Sequence, residues 1–330
     1  MRYGVNGPMT GGPLFVSSGD ASADQRFGSA LQRAARGDLV GAAEILAQTV
    51  RLAPAFTTAW FALGAIRDSL GDRAGAVAAW QAARDTDPDD YHGARLQLAR
   101  LGAGEKRPAM TAAYVRRLFD QQAAKFDETL LQRLGYRGPA VLLEAVREVA
   151  SEELHIGSML DLGCGTGLCG AVFRPQVDWL VGVDISPGMV AKARAKGLYD
   201  HLSVLDLQAF LHAEAQSHAR YHLVVAADVF VYVSELISIA AAASRVLAPD
   251  GLFAFTVETH SGDGVVLQQT LRYAHGPAHV HQAIADAGLN LMCLKHIVTR
   301  EEKGVPVPSL VVVASSSAPG PSAVMDKSDP

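Results

Sequence analysis

The chain is poor in cysteine, with three among 330 residues, at Cys164, Cys169 and Cys293. Three thiols cannot build a disulfide framework and their spacing matches no zinc pattern, so the expectation is reduced thiols and no metal site. Charge is also scarce, at 19%, and it leans acidic, with a net charge of −5 and a pI near 6.1. Nucleic-acid-binding domains carry the opposite balance, so nucleic acid is not an expected partner. No apolar run approaches the roughly 18–20 residues that cross a bilayer, which removes the membrane from the expected partners. The stretch from Met1 to Ala23 holds one arginine and a broken Gly-Pro-rich middle instead of the apolar core of a signal peptide. A cytoplasmic protein is therefore expected.

What is present is a large apolar fraction, 49%, over a length that allows two domains. Residues 1–22 are rich in Gly, Pro and Ser and are expected to form a disordered tail, as is the Ser-Ala-Pro-Gly-rich end over 316–330. Residues 23–105 contain a repeat: Gly37-Asp38 recurs as Gly71-Asp72 and Pro54 as Pro88, each 34 residues later. The second copy carries Trp60, Leu63, Gly64, Ala76, Trp80 and Ala83, while the first keeps Ala42 and Leu46 without the tryptophan. This spacing resembles the tetratricopeptide repeat, which implies close-packed antiparallel helices serving as a docking surface or a spacer. Residues 106–157 read as the end of a linker followed by a helical arm. Its second helix, Ala140 to Ala150, stands just before the first strand, where it can be core or a lid.

From 158 to 315 the pattern changes to strands alternating with helices. An apolar run, Met159 to Leu162, stops at Gly163, Gly165 and Gly167. Alone, this is a tight turn or a loop that lets backbone approach a ligand. A second run, Trp179 to Val183, ends at Asp184, 21 residues after Gly163. An acidic residue about 20 residues beyond the glycines is placed to accept hydrogen bonds from ribose hydroxyls. Further runs end at Asp206, at Ala227-Asp228 and at Glu258, and Leu289–Val298 with Ser309–Val313 form an expected antiparallel pair around Arg300–Gly304. The fold class expected is α/β, a mainly parallel sheet covered by helices on both faces.

The ordered set Leu160-Asp-Leu-Gly-Cys-Gly-Thr-Gly167, Val181-Gly-Val-Asp-Ile-Ser-Pro-Gly-Met189, Asp206 and Ala227-Asp228 resembles the motifs of class I S-adenosylmethionine-dependent methyltransferases. The nicotinamide-dehydrogenase pattern differs, because its third glycine comes one residue later. The layout, with repeats before Tyr114–Asp120 and Phe126-Asp127, and with Arg272–His275 further on, is similar to bacterial methyltransferases that carry tetratricopeptide-like repeats. The resemblance implies a Rossmann-like sheet with an antiparallel last strand and S-adenosyl-L-methionine as cofactor. It also implies a cofactor site. Asp161, Gly163, Cys164, Gly165, Thr166 and Gly167 would meet the methionine part, and Asp184 the ribose. Ile185 and Met189 would flank the adenine, Asp206 and Leu207 would address its edge and face, and Ala227 and Asp228 would line the sulfonium end.

Methyl transfer from a sulfonium is an in-line displacement, so alignment and exclusion of water supply much of the rate. A general base is needed only where the acceptor carries a proton. His260, Tyr273 and His275, after the fifth strand, and Glu258 at its end are the candidates. The fourth strand ends in Asp228-Val-Phe-Val, without the Asn/Asp-Pro-Pro-Tyr/Phe of amine methylases acting on DNA bases or protein glutamine. With the acidic pI this favours a small-molecule acceptor. The alternatives are a protein or carrier-bound substrate recruited through the repeats, and a non-catalytic protein that binds the cofactor only structurally.

Overall fold

Aspartates open three helices of the N-terminal region. Asp20, Asp38 and Asp72 each accept hydrogen bonds from backbone N–H groups of the following turn, which would otherwise be unpaired. The computed structural model describes residues 15–104, 109–150 and 154–316. Of the expected tails over 1–22 and 316–330, residues 1–14 and 317–330 lie outside the described residues, as do 105–108 of the expected linker, whereas Ser18 is hydrogen-bonded to Asp24 and α1 already starts at Ala21. The chain forms two compact units. One runs to Thr129 and takes in Val266–Tyr273; the other comprises Leu130–Val265 and the chain from Ala274 onward.

The first unit contains α1 (Ala21–Ala35), α2 (Leu39–Leu52), α3 (Thr57–Ser69), α4 (Arg73–Thr86), α5 (Ala94–Arg100) and α6 (Ala112–Gln122). α2 and α4 begin and end 34 residues apart, and their caps are matched: Gly41 N to Asp38 Oδ1 and Gly75 N to Asp72 Oδ1 are both 2.9 Å. Phe27, Leu46, Leu63 and Ile66 are buried in one cluster, and Trp80 and Leu98 in a second. Gly64 is required by this packing, because a Cβ there would stand 2.5 Å from Trp80 Nε1. The indole N–H donates to Phe61 O at 3.2 Å.

The second unit begins with α7 (Gly138–Val149). There follow β1 (Ile156–Leu162), α8 (Leu168–Phe173), β2 (Val177–Asp184), α9 (Pro187–Lys196), β3 (His201–Val204), α10 (Leu207–Gln216), β4 (Tyr221–Ala226), α11 (Leu236–Ser244) and β5 (Leu247–Glu258). Two short strands, β6 (Val265–Leu267) and β7 (Tyr273–His275), which overlap the Val266–Tyr273 segment of the first unit, precede α12 (Pro277–Asp286), β8 (Asn290–Glu302) and β9 (Val305–Ser315). Strands β3-β2-β1-β4-β5 lie side by side in parallel, β9 runs antiparallel to β5, and β8 antiparallel to β9. This is the expected class I arrangement.

Alternation along the strands feeds two cores. Leu160, Leu162, Val181 and Val183 face α10, α11 and α12, while Met159, Leu180, Leu223 and Val225 face the opposite way. Val141, Leu142, Ala145 and Val146 of α7 belong to that second cluster. α7 is thus a core helix and not a lid. At the far end of the sheet, the expected break over Arg300–Gly304 narrows to two residues. Lys303 (φ 55°) and Gly304 (φ 76°) make a tight hairpin turn, and pairing continues to Glu302 and Val305.

Candidate functional site

Parallel strands deliver their C-terminal ends to one edge, so the residues after β1, β2 and β4 converge there. The glycines after β1 all have positive φ: 67° at Gly163, 53° at Gly165 and 90° at Gly167. A Cβ on Gly163 would lie 2.6 Å from Val229 Cγ2, so the loop needs glycine there for space as well as for conformation. The loop is tied to β2. Cys164 N donates to Val183 O at 2.9 Å, and Gly165 N to Asp184 Oδ2 at 2.9 Å. The other oxygen of Asp184 accepts from Ser186 N at 2.8 Å. Asp184 therefore sits where the loop and α9 begin, and its carboxylate ties the two together.

Asp161 is buried beneath the loop, where Tyr199 Oη donates to its Oδ2 at 2.6 Å. Burial pushes its carboxyl up to about 7; the Tyr199 bond opposes this and the charge of Asp184 adds to it. Tyr199 also accepts from Gly170 N at 3.1 Å. It was not among the residues expected at the site. Its signal is indirect: Gly170 and Gly182 leave room for its ring, and a Cβ at either would come within 2.6 and 2.8 Å of it, respectively. Cys164 and Thr166 are buried in the loop, and burial raises the thiols of Cys164 and Cys169 well above their ordinary pKa. Those thiols are unsuited to nucleophilic work.

Along the edge, Ile185 and Leu207 are half-buried, whereas Met189 is fully buried in α9. Met189, expected to flank an adenine, is thus enclosed in this structure, as Asp161 and Thr166 are. Asp206 is exposed and caps α10, accepting from Gln208 N at 2.9 Å and Ala209 N at 3.2 Å.

At the end of β4, Ala227 and Asp228 are half-buried, and Asp228 holds a positive φ of 54°. Its carboxylate accepts from Thr256 Oγ1 at 2.7 Å, Thr299 Oγ1 at 3.1 Å and Arg300 Nη1 at 2.6 Å. Arg300 also bonds Glu258, and its Nε bonds Glu302 at 3.0 Å. Burial disfavours this guanidinium's charge, but the carboxylates of Asp228, Glu258 and Glu302 together raise its pKa above the ordinary value. The carboxylates of Asp228 and Glu258 are thus committed to Arg300. Asp228 presents backbone to the site, and Glu258 is placed as an ion-pair partner instead of a base. Arg300 itself lay in the stretch read as a hairpin break, where nothing in the sequence distinguishes a buried arginine from an exposed one.

Tyr136 is a further residue that sequence reasoning missed. Its segment is fixed by Tyr136 N to Leu130 O at 3.1 Å and Arg137 N to Thr299 O at 2.8 Å. Burial first, then the charges of Asp228, Cys169 and Asp161, raise its phenol well above the ordinary pKa, which puts the ring within electrostatic reach of those groups.

The candidate bases are committed locally. His275 is fully buried, with Nε2 3.2 Å from Phe230 O, and burial lowers its pKa to about 4, so the ring is neutral near pH 7. His260 pins its own loop through Gly262 N, at 3.1 Å, and Gly264 O, at 3.3 Å. Tyr273 belongs to the helical unit, where its Oη accepts from Ala109 N at 3.3 Å. Among the described residues, no cluster of three metal-ligating side chains is found and no helix is long and apolar enough to cross a membrane.

Residues 160–253 match the family described as a methyltransferase domain. Methyltransferase-like protein 27 of Homo sapiens is 38% identical over 90 residues, covering 27% of this chain and 36% of that protein. The ubiquinone biosynthesis O-methyltransferase of Bradyrhizobium is 32% identical over 94 residues, covering 28% of this chain and 37% of that protein. The chain thus matches little more than a third of the length of these relatives. Among solved structures, the Burkholderia thailandensis 1,6-didemethyltoxoflavin-N1-methyltransferase, with its substrate and S-adenosylhomocysteine bound, aligns with a TM-score of 0.51 at 17% identity. That alignment covers 66% of this chain and 93% of that one, and it establishes the shared fold.

Proposed function

We propose that this protein is an S-adenosylmethionine-dependent methyltransferase acting on a small-molecule acceptor. The observation that carries the reading is the positive-φ glycine loop hydrogen-bonded through Gly165 N to Asp184. The residues fit the cofactor: the loop offers a backbone cradle that a Cβ would fill at Gly163, and Asp184 sets a carboxylate, an acceptor of hydroxyl donors, at the end of β2 beside it. When bound, the cofactor supplies a methyl group on a sulfonium as the electrophile. Asp184 would hold the ribose hydroxyls, and Asp161 with Gly163, Cys164, Gly165, Thr166 and Gly167 the methionine end. Ile185, Asp206 and Leu207 would hold the adenine, and the backbone of Ala227 and Asp228 would border the transfer point. These residues bind and orient; the rate gain comes from alignment and exclusion of water.

A small acceptor is supported by the missing prolines after β4 and by the O-methyltransferase relative, whose name places it in the synthesis of a small molecule. His275 is fully buried with its Nε2 on Phe230 O, so its ring is not offered to an acceptor. Three buried free thiols fit a reducing, cytoplasmic setting. A second reading, a polypeptide acceptor recruited by the helical unit, is favoured by the matched caps and 34-residue spacing of α2 and α4, which suit tetratricopeptide-like repeats.

Calorimetry with S-adenosylhomocysteine tests the site. Saturable binding by the full chain, lost or at least about tenfold weaker in Asp184→Ala, is expected, because a charge-assisted hydrogen bond is at stake. Binding indifferent to that substitution would sink the assignment. Turnover of small acceptors with no macromolecule present separates the first reading from the second, and cofactor binding without any turnover would point to a structural role.

A further inference from the structure

In the helical unit, the start of α3, the end of α4, the turn carrying Tyr91 and His92, and α6 border a cleft of about 640 Å³. Sites for small molecules span roughly 300–1,000 Å³. Most polar groups along its wall are spent on one another. Thr57 Oγ1 donates to Thr86 Oγ1 at 2.9 Å, and Thr58 Oγ1 accepts from Val16 N at 3.1 Å and lies 3.2 Å from His92 Nε2. The Asp87 carboxylate accepts from Tyr91 N at 2.8 Å and lies 3.4 Å from His92 Nδ1.

Two arginines stand apart on this wall: Arg116, which is exposed, and Arg117, which is half-buried. The Nε of Arg117 is buried without a hydrogen-bond partner, and among the described residues no carboxylate or carbonyl accepts from its other N–H groups. The guanidinium lies over the Tyr114 ring, 5.3 Å from the centroid. Burial lowers its pKa, and Asp87 and Asp90 act on it only through space. Asp90 spends its carboxylate on Ala94 N, at 2.7 Å, and Arg95 N, at 3.1 Å. A half-buried guanidinium whose buried Nε lacks a partner carries a cost, and its fork is shaped for a planar two-oxygen acceptor. The remainder of the wall includes Val16, Ala55, Phe56 and Tyr91, which offer apolar surface.

We propose that this cleft binds an apolar monocarboxylate, an aromatic or medium-chain organic acid, with Arg117 gripping the carboxylate and the apolar wall taking its body. One charged group on an apolar body matches the one half-buried guanidinium, Arg117, in a wall whose threonine hydroxyls are already paired, with Arg116 exposed at its edge. Asp120, which also lines the cleft, argues against ligands carrying several negative charges. The site lies wholly within the helical unit, so it stands apart from the reading of the glycine loop.

The test uses the full chain and calorimetric titration with octanoate and 4-phenylbutyrate, each against its neutral amide. One-site binding is expected, with at least one acid about tenfold or more tighter than its amide, because charge-assisted hydrogen bonds are lost in the amide. Arg117→Gln should bring the affinity for the acid down to that of the amide, and Arg117→Lys should fall between. Failure of both acids to bind at millimolar concentration, equal binding of acid and amide, or unchanged acid binding in Arg117→Gln overturns the proposal. The acid–amide comparison in the unaltered chain decides the matter even where a variant folds poorly.

Discussion

At the scale of single residues, the most informative group is Asp161. Its carboxyl is pushed up to about 7 from an ordinary value of 3.8, so between those values the folded chain holds a proton that the unfolded chain has released. Stability therefore falls as pH rises through that window and levels off above about pH 7. Melting temperatures across the range should show this slope in the natural chain and a flatter one in Asp161→Asn. If the buried carboxyl also receives the cofactor's ammonium, affinity for S-adenosylhomocysteine should rise between about pH 6 and about pH 8, with proton release on binding. Titration in buffers of different ionisation enthalpy checks this. Tyr199→Phe removes the hydroxyl shared by Asp161 and Gly170 N, and a loss of about 1–3 kcal/mol in urea unfolding is expected. Asp161 was legible because it stands inside the glycine motif. Tyr199 was not, because its role depends on a pocket made by glycines in α8 and β2 that are distant from it along the chain.

At the scale of elements, strand order, the glycine turn and α8 could be read from apolar runs and their stops. The long β8–β9 hairpin could be read only in outline, since charged residues from Arg300 onward look like a loop. The β5–β9 ladder joins that hairpin to the parallel strands, and Arg300 adds a charged tie from β8 to Asp228 after β4 and to Glu258 at the end of β5. Arg300→Leu leaves the buried Glu258 and the half-buried Asp228 uncompensated, and destabilisation of about 3–5 kcal/mol is expected from chemical unfolding. Combining it with Asp228→Asn and Glu258→Gln should recover a large part of that loss, since neutral groups tolerate the same site. The base candidates illustrate the other limit of sequence reasoning. His275 and Tyr273 occur at suitable places in the chain, but burial and backbone partners, which a sequence does not display, commit them elsewhere.

At the scale of the molecule, the helical unit includes Val266–Tyr273, although both ends of that segment run into the α/β unit. Within the helical unit Tyr273 Oη accepts from Ala109 N, and Arg100 Nη1 lies 3.4 Å from Gln269 Oε1. A chain shortened to residues 130–330 should expose Tyr273 and Leu271, both buried in the full chain, and become sensitive to chymotrypsin there. Peptide mapping of brief digests would show cleavage at 271–273 in the shortened chain and not in the full one. The same excursion bears on how the protein is made. Domains usually complete themselves in the order in which they leave the ribosome. Here one piece of the earlier unit, Val266–Tyr273, emerges only after β5 has been translated, whereas the apolar clusters among α1–α5 draw on residues 23–103 alone, so those helices can pack early and receive their last segment late.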